Sequence, residues 1–281
     1  MSAGHRRAPG SRAARSVAFV LATLWLVVVL APIYYMVLSS LRAQGTYITA
    51  NPWVPSGPLT LSQYSTVFHA GLGTYLENSA IVTVAAVVVT LTLSLATAFR
   101  ILRRTSRASG WSLRLILFGL AVPIQSLIIP LYLICDKLGL YDTLQVLVLV
   151  LSAAAIPVSV LIMASFVRDI PRELFDAMAS DGAREWRIFV SLIVPLCRPV
   201  LATLAIYDGI NVWNNFLVPL VLTQSNSDAV LPLGLYKFYS QYGVDVPAIM
   251  AAVLLSVLPI VVLYVGLHRQ FVQGLSGVAM R

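Results

Sequence analysis

TLQVLVLVLSAAAIPVSVLIMASFV, residues Thr143–Val167, contains no ionisable side chain, and RDIPRELFDAMASDGAREWRIFVSLIVPLCR, residues Arg168–Arg198, follows it with five acidic and five basic ones. As a helix the first stretch is about 37 Å long at about 1.5 Å per residue. That exceeds the roughly 30 Å of a bilayer's hydrocarbon core. The second stretch is too charged to stay there. A membrane helix running into a charged, water-exposed segment is the reading from which the rest of the chain is worked out. The 281 residues are 59% hydrophobic and only 11% charged, against roughly 25% charged in soluble domains. So few charges cannot cover so much apolar surface, which excludes a soluble fold, disorder and collagen-like structure. The net charge of +8 alone would admit nucleic acid or anionic lipid as a partner. Seventeen of the nineteen basic residues are Arg; the two lysines are Lys137 and Lys237.

Charge-poor windows of membrane-crossing length recur on either side of Thr143–Val167. They are Ser16–Leu41, Asn78–Phe99, Leu115–Cys135, Pro199–Leu222 and Val246–Leu267. The expectation is an all-α integral membrane protein with six transmembrane helices over residues 16–267. An even count puts both termini on one side. Sixteen basic residues fall in the 1–15 tail, the connection 100–114, the segment 168–198 and the 268–281 tail; three, Arg42, Lys137 and Lys237, fall opposite. The positive-inside rule makes the sixteen cytoplasmic, and with them both tails. The first window has the basic start of a signal peptide. Its apolar run is too long for one, and no small-residue cleavage site follows, so an uncleaved span is expected.

Externally, Arg42–Glu77 carries Pro52, Pro55, Pro58 and Gly71-Leu72-Gly73, which suits a folded loop with short helices. The loop 223–245, with Tyr236, Tyr239 and Tyr242, admits two readings: interfacial aromatics or a docking surface. Residues 168–198 are the least usual part. They hold five of the eleven acidic residues at zero net charge, and connections this long usually have structure of their own. Pro171 can open a helix, with Asp169 and Glu173 against its positive end. Leu174, Ala177 and Met178 share one face. Asp181-Gly182 reads as a turn, and a second amphipathic stretch places Trp186, Phe189, Val190 and Ile193 together before Val194-Pro195. Helices lying passively on lipid usually carry excess Lys and Arg. Balanced charge fits a protein partner better.

Asp176-Ala177-Met178, three residues, Gly182, nine residues, Leu192-Ile193-Val194-Pro195 resembles the EAA motif of binding-protein-dependent ABC importers. Asp stands for Glu, Met for the second Ala, Leu for Ile and Val for Leu, with the Gly and Pro in register. Leu138-Gly139-Leu140, Asp181-Gly182-Ala183, Trp213-Asn214, Leu231-Pro232-Leu233-Gly234-Leu235 and Phe271-Val272-Gln273-Gly274-Leu275 are similar to the carbohydrate-uptake, maltose-type branch. The likeness extends from residue 16 to 281. It implies a type I ABC importer permease in the cytoplasmic membrane, importing a sugar or oligosaccharide and working beside a second homologous permease. Other implied partners are a cytoplasmic ABC ATPase dimer, which uses the ATP and Mg, and an extracytoplasmic solute-binding protein. Glu173, Asp176, Ala177, Met178, Asp181, Gly182, Ala183 and Pro195 are the implied contacts to the ATPase.

Neither lysine lies in a glycine loop, so the chain has no P-loop; hydrolysis would belong to the partner, and this chain is not expected to be an enzyme. His5, His69 and His268 lack zinc-ligand spacing. No cofactor is expected, and nucleic acid drops out as a partner because topology accounts for the basic residues. Membrane lipid remains one. Asp208 is the acid well inside a span, a functional candidate by default that would pair with a donor on a neighbouring helix or touch the pathway; the alternative is a solvated position near an interface of a tilted span. Trp213, Asn214 and Asn215 suit a sugar, a ring for its C–H faces and amides for its hydroxyls; inter-helix hydrogen bonding is the alternative. Gln125 is a further candidate of that kind. The rival functions are an ion-coupled secondary transporter, which would call for more buried acids or an internal repeat, and an ABC permease for a non-sugar solute. A membrane enzyme would need a clustered catalytic set.

Overall fold

The computed structural model describes residues 12–103, 107–242 and 245–279. His5, Arg6, Arg7, Arg104 and Arg281 lie outside the described residues, as do the side chains of Tyr239, Tyr242, His268 and Arg269. Every regular element among the described residues is helical. The chain divides into two compact units, Met1–His69 with Tyr242–Leu254, and Ala70–Gln241 with Leu255–Arg281.

The first unit begins with α1 (Arg12–Ser40), whose apolar side chains, Phe19 and Trp25 among them, are exposed. Two short helices follow, α2 (Gln44–Thr49) and α3 (Ser62–Val67), in the region expected to be a folded external loop. A fully buried arginine organises it. Arg42 donates from Nη2 to the carbonyls of Asn51, at 3.0 Å, and Val54. Its own carbonyl accepts from Gln63 Nε2 at 3.1 Å. The hydroxyls of Tyr35 and Tyr47, and of Ser40 and Tyr64, meet at 2.7 and 2.8 Å.

The second unit is built on α4 (Gly73–Arg103) and α7 (Leu144–Arg168), which pack along much of their length. Small residues explain the contact. Ser79, Thr83, Ala86, Thr90, Ser94 and Ala98 recur every three or four positions on the buried side of α4, and Ser152, Ser159 and Ala164 are buried on α7. In lipid, where apolar surface gains little from leaving its solvent, close approach and dispersion hold helices together. The helix α11 (Arg198–Trp213) packs against both.

Two expected spans are not straight. Leu115–Cys135 falls across α5 (Arg107–Phe118), a tight turn at Gly119–Ala121, and α6 (Ile124–Lys137), whose axes differ by 101°. Pro123 is the reason. A residue before proline is pushed out of the helical region, and Val122 is extended at φ −101°, ψ 110°. Pro199–Leu222 is also divided, because α11 ends at Trp213 and α12 (Leu217–Leu222) starts after a break. Helix α13 (Leu231–Tyr242) is followed by α14 (Val246–Ala279), which continues past Leu267 into the C-terminal tail expected over 268–281.

Candidate functional site

Residues 168–198 fold as a helix, a turn and a second helix. Pro171 stands at the N-cap position of α8 (Arg172–Ser180), and Glu173 sits in its first turn, where a carboxylate meets the positive end of the helix dipole. The end of α8 explains the motif's spacing. Ala183 N–H donates to the Met178 carbonyl and Gly182 N–H to the Ala179 carbonyl, both at 3.0 Å. This pair of bonds is a Schellman cap, whose C′ residue is left-handed and therefore favours glycine. Gly182 has φ +75°. The glycine must stand four positions after the residue whose carbonyl receives the outer bond, and that residue is Met178. Met178 and Ala183, the two positions that usually touch in such caps, both pack against the buried cluster.

Beyond the turn, α9 (Glu185–Ile188) runs through a widened turn at Phe189–Ile193 into α10 (Val194–Leu196). Pro195, which cannot donate to the carbonyl one turn back, follows the widening. The extra residue shifts the helical register, so the buried side differs from the expected one. Ile188 and Ile193 are buried and Phe189 partly so, whereas Trp186 is 72% exposed and Val190 is exposed. On α8, Phe175 and Met178 face the core and Leu174 is exposed. Glu173, Asp176, Ala177, Asp181 and Gly182 are exposed, with Ala183 and Pro195 intermediate.

The segment is anchored to the ends of α4 and α7 by a cluster that includes Phe99, Met163, Val167, Ile170, Ile188, Ile193 and Cys197. Phe99 and Phe189 have ring centroids 5.5 Å apart, and Arg100 Nη1 lies 3.0 Å from Glu185 Oε2. Burial pushes the Cys197 thiol up to about 11. At Cys197 the chain turns by 72° between Glu185–Leu196 and α11.

At the other end of α11 the proposed pathway residues meet a pair of adjoining cavities. One, of about 210 Å³, is lined by Ile124, Tyr207, Asp208, Asn211 and Asn215 among others. The second, of about 410 Å³, is lined by Ile124, Gln125, Asn211, Asn214, Asn215 and Phe216 among others. Gln125, Asn214 and Asn215 are thus brought together because the 101° bend before α6 and the break after α11 fall side by side. The amides also bond to the backbone on both sides of the break. Asn214 Nδ2 donates to the Ile210 carbonyl at 2.9 Å, and Asn215 Oδ1 accepts from Val218 N–H at 3.1 Å, capping α12. Asp208 is 1% exposed and receives a 2.8 Å hydrogen bond from Ser159 Oγ on α7, a donor on a neighbouring helix, so it is buried rather than solvated. Trp213 is set apart. It is only 8% exposed and lines neither cavity, so its ring belongs to the packed side of α11. Asn211 lines both cavities and was not among the sequence candidates; its place between Asp208 and Asn215, at helical intervals of three and four, is the signal that marks it.

The family described as "Binding-protein-dependent transport system inner membrane component" matches residues 89–277. A putative ABC transporter permease protein, ORF2, of Caldicellulosiruptor sp. (strain Rt8B.4) is 35% identical over 94% of this chain and 96% of the relative. The diacetylchitobiose uptake system permease protein NgcG of Streptomyces coelicolor is 29% identical over 96% of this chain and 90% of the relative. Among solved structures, a bacterial ABC transporter involved in import of the acidic polysaccharide alginate has a chain that superposes with a TM-score of 0.83. It shares 22% identity and covers 94% of this chain and 99% of that one.

Proposed function

Since this chain belongs to the family of binding-protein-dependent transport system inner membrane components, we propose that it is the permease subunit of an ABC importer for a sugar or oligosaccharide. The observation that carries this reading is the exposed helix–turn–helix at Arg172–Leu196, rigidly seated on its own core yet presenting Leu174, Trp186 and a row of charges outward. A face of that kind suits docking to a cytoplasmic ATPase dimer that uses ATP and Mg. Glu173, Asp176, Ala177, Asp181 and Gly182 are the residues that would meet the ATPase, with Met178, Ala183 and Pro195 holding their geometry.

In this reading six spans cross the cytoplasmic membrane: α1, α4, α7 and α14 as continuous helices, and two that are broken, α5–α6 and α11–α12. Both termini are cytoplasmic in this reading, which the distribution of arginines supports. A second homologous permease completes the path, and the exposed apolar sides of α1 suit either that subunit or lipid. A solute-binding protein delivers the sugar from outside. Gln125, Asn211, Asn214 and Asn215, with Asp208 behind them, give this chain's half of the path hydrogen-bonding groups matched to hydroxyl-rich solutes.

Uptake by proteoliposomes tests the reading. Labelled oligosaccharide should enter only when this chain, its partner permease, the ATPase, the binding protein and ATP are all present. Transport by this chain alone, driven by an ion gradient, would overturn it; uptake of amino acids or metal ions in place of sugars would overturn the substrate class.

A further inference from the structure

Three arginines converge where α4, α7 and α8 meet, and no part of the coupling reading uses them. Arg103, Arg168 and Arg172 line a cavity of about 290 Å³ whose apolar wall includes Phe99, Val167 and Ile170. Arg100 nearby has a carboxylate, Glu185. Among the described residues none of these three has one within ion-pair distance, and Arg103 instead lies over the Phe175 ring at 5.6 Å. Asp176 borders the cavity without pairing to them. Three guanidinium groups against one carboxylate leave it positively charged.

Helix electrostatics account for part of this and fail for the rest. Arg103 and Arg168 close α4 and α7, where cations are favoured. Arg172 opens α8, where the dipole disfavours a cation and favours an anion. It lines the same cavity as two other guanidiniums that have no carboxylate partner among the described residues, so the space between them suits an anion. We infer that this cavity binds the phosphodiester headgroup of an anionic membrane lipid, with Arg103, Arg168 and Arg172 as its ligands. Guanidinium groups hold phosphate oxygens by paired, charge-assisted hydrogen bonds. The lipid source follows from the site's position. The cavity sits at the ends of two membrane-length helices and has an apolar wall, and basic pockets between spans on the cytoplasmic side are suited to lipid headgroups. The bound lipid would brace the start of α8 against α4 and α7.

Native mass spectrometry of the intact importer tests this in detergent, so its outcome does not depend on the topology or the transported solute. Wild type should retain added phosphatidylglycerol at least roughly tenfold more tightly than R103Q/R168Q, as expected for losing two charge-assisted contacts. Phosphatidylcholine should show no such difference. R168Q alone, at an exposed position, should weaken retention in the same direction and serves if the double variant fails to assemble. Equal retention of phosphatidylglycerol by wild type and variants overturns the site. Phosphatidylcholine held as tightly as phosphatidylglycerol also overturns it, and displacement of the lipid by millimolar inorganic phosphate would assign the cavity to a soluble anion.

Discussion

Ser159 on α7 donates a 2.8 Å hydrogen bond to Asp208 on α11, and both residues are buried. The bond joins the helix that enters the coupling segment to the helix that leaves it, with Asp208 at the wall of the amide-lined cavity. Removing one partner strands a buried polar group, at a cost of about 1–3 kcal/mol. Ser159→Ala should therefore lower the melting temperature of the purified complex. Asp208→Asn, which keeps an acceptor, should cost less than Asp208→Leu. If all three variants melt with the wild type, the bond has no structural role.

Gly234 and Tyr75 form a second dependence. A Cβ at Gly234 would overlap the ring of Tyr75, and Tyr75 is itself buried. Overpacking of this kind costs typically about 1–3 kcal/mol. Gly234→Ala should destabilise the protein by that order. Adding Tyr75→Ala should recover part of the loss, so the double variant is more stable than the two single effects summed. Strict additivity in thermal melts would mean the ring moves freely aside.

At Gly182 the requirement is conformational. A Cβ there meets nothing within 4 Å, but φ is +75°. A left-handed conformation costs an ordinary residue roughly 1–2 kcal/mol and Asn less. The expected order of uptake is wild type, then Gly182→Asn, then Gly182→Val, with all three chains present in the membrane. Valine performing as well as asparagine would show that the cap geometry does not govern coupling.

The Cys197 thiol offers a pH test. Its thiol is raised to about 11 by burial, so the reactive thiolate is the minor form below that pH. At pH 8 roughly one molecule in a thousand carries it. Alkylation by iodoacetamide should be negligible in the native complex and rise toward pH 11. A cysteine placed at exposed Trp186 should react at pH 8. Rapid native labelling of Cys197 at pH 8 would mean the segment is not packed as described.

The apolar windows were legible because length and charge avoidance are properties of the chain itself, and α1, α4 and α7 match theirs within a few residues. The turn at Asp181-Gly182 was legible for a related reason. A glycine cap is local, and the spacing from Met178 to Gly182 is the spacing of its hydrogen bonds. The buried side of the second amphipathic helix was not. Trp186 and Val190 belong to an ideal helical stripe, but the widened turn at Phe189–Ile193 brings Ile193 onto the buried side of Ile188, five residues before it, and leaves Trp186 and Val190 outside. Trp213 and Asn211 exchanged places for a similar reason: which side of α11 faces α4 and α7 depends on where those helices lie.

By itself the sequence determined the all-helical membrane class, the charge balance of residues 168–198 and the motif around Gly182. Each follows from composition or from contacts within a few residues. Only tertiary structure decided that the breaks at Pro123 and Asn214 fall together, placing Gln125 beside Asn211, Asn214 and Asn215, and that Arg103 meets Arg168 and Arg172 across about seventy residues of chain. Such meetings depend on how the helices pack, and close packing is a property of surfaces from several segments at once.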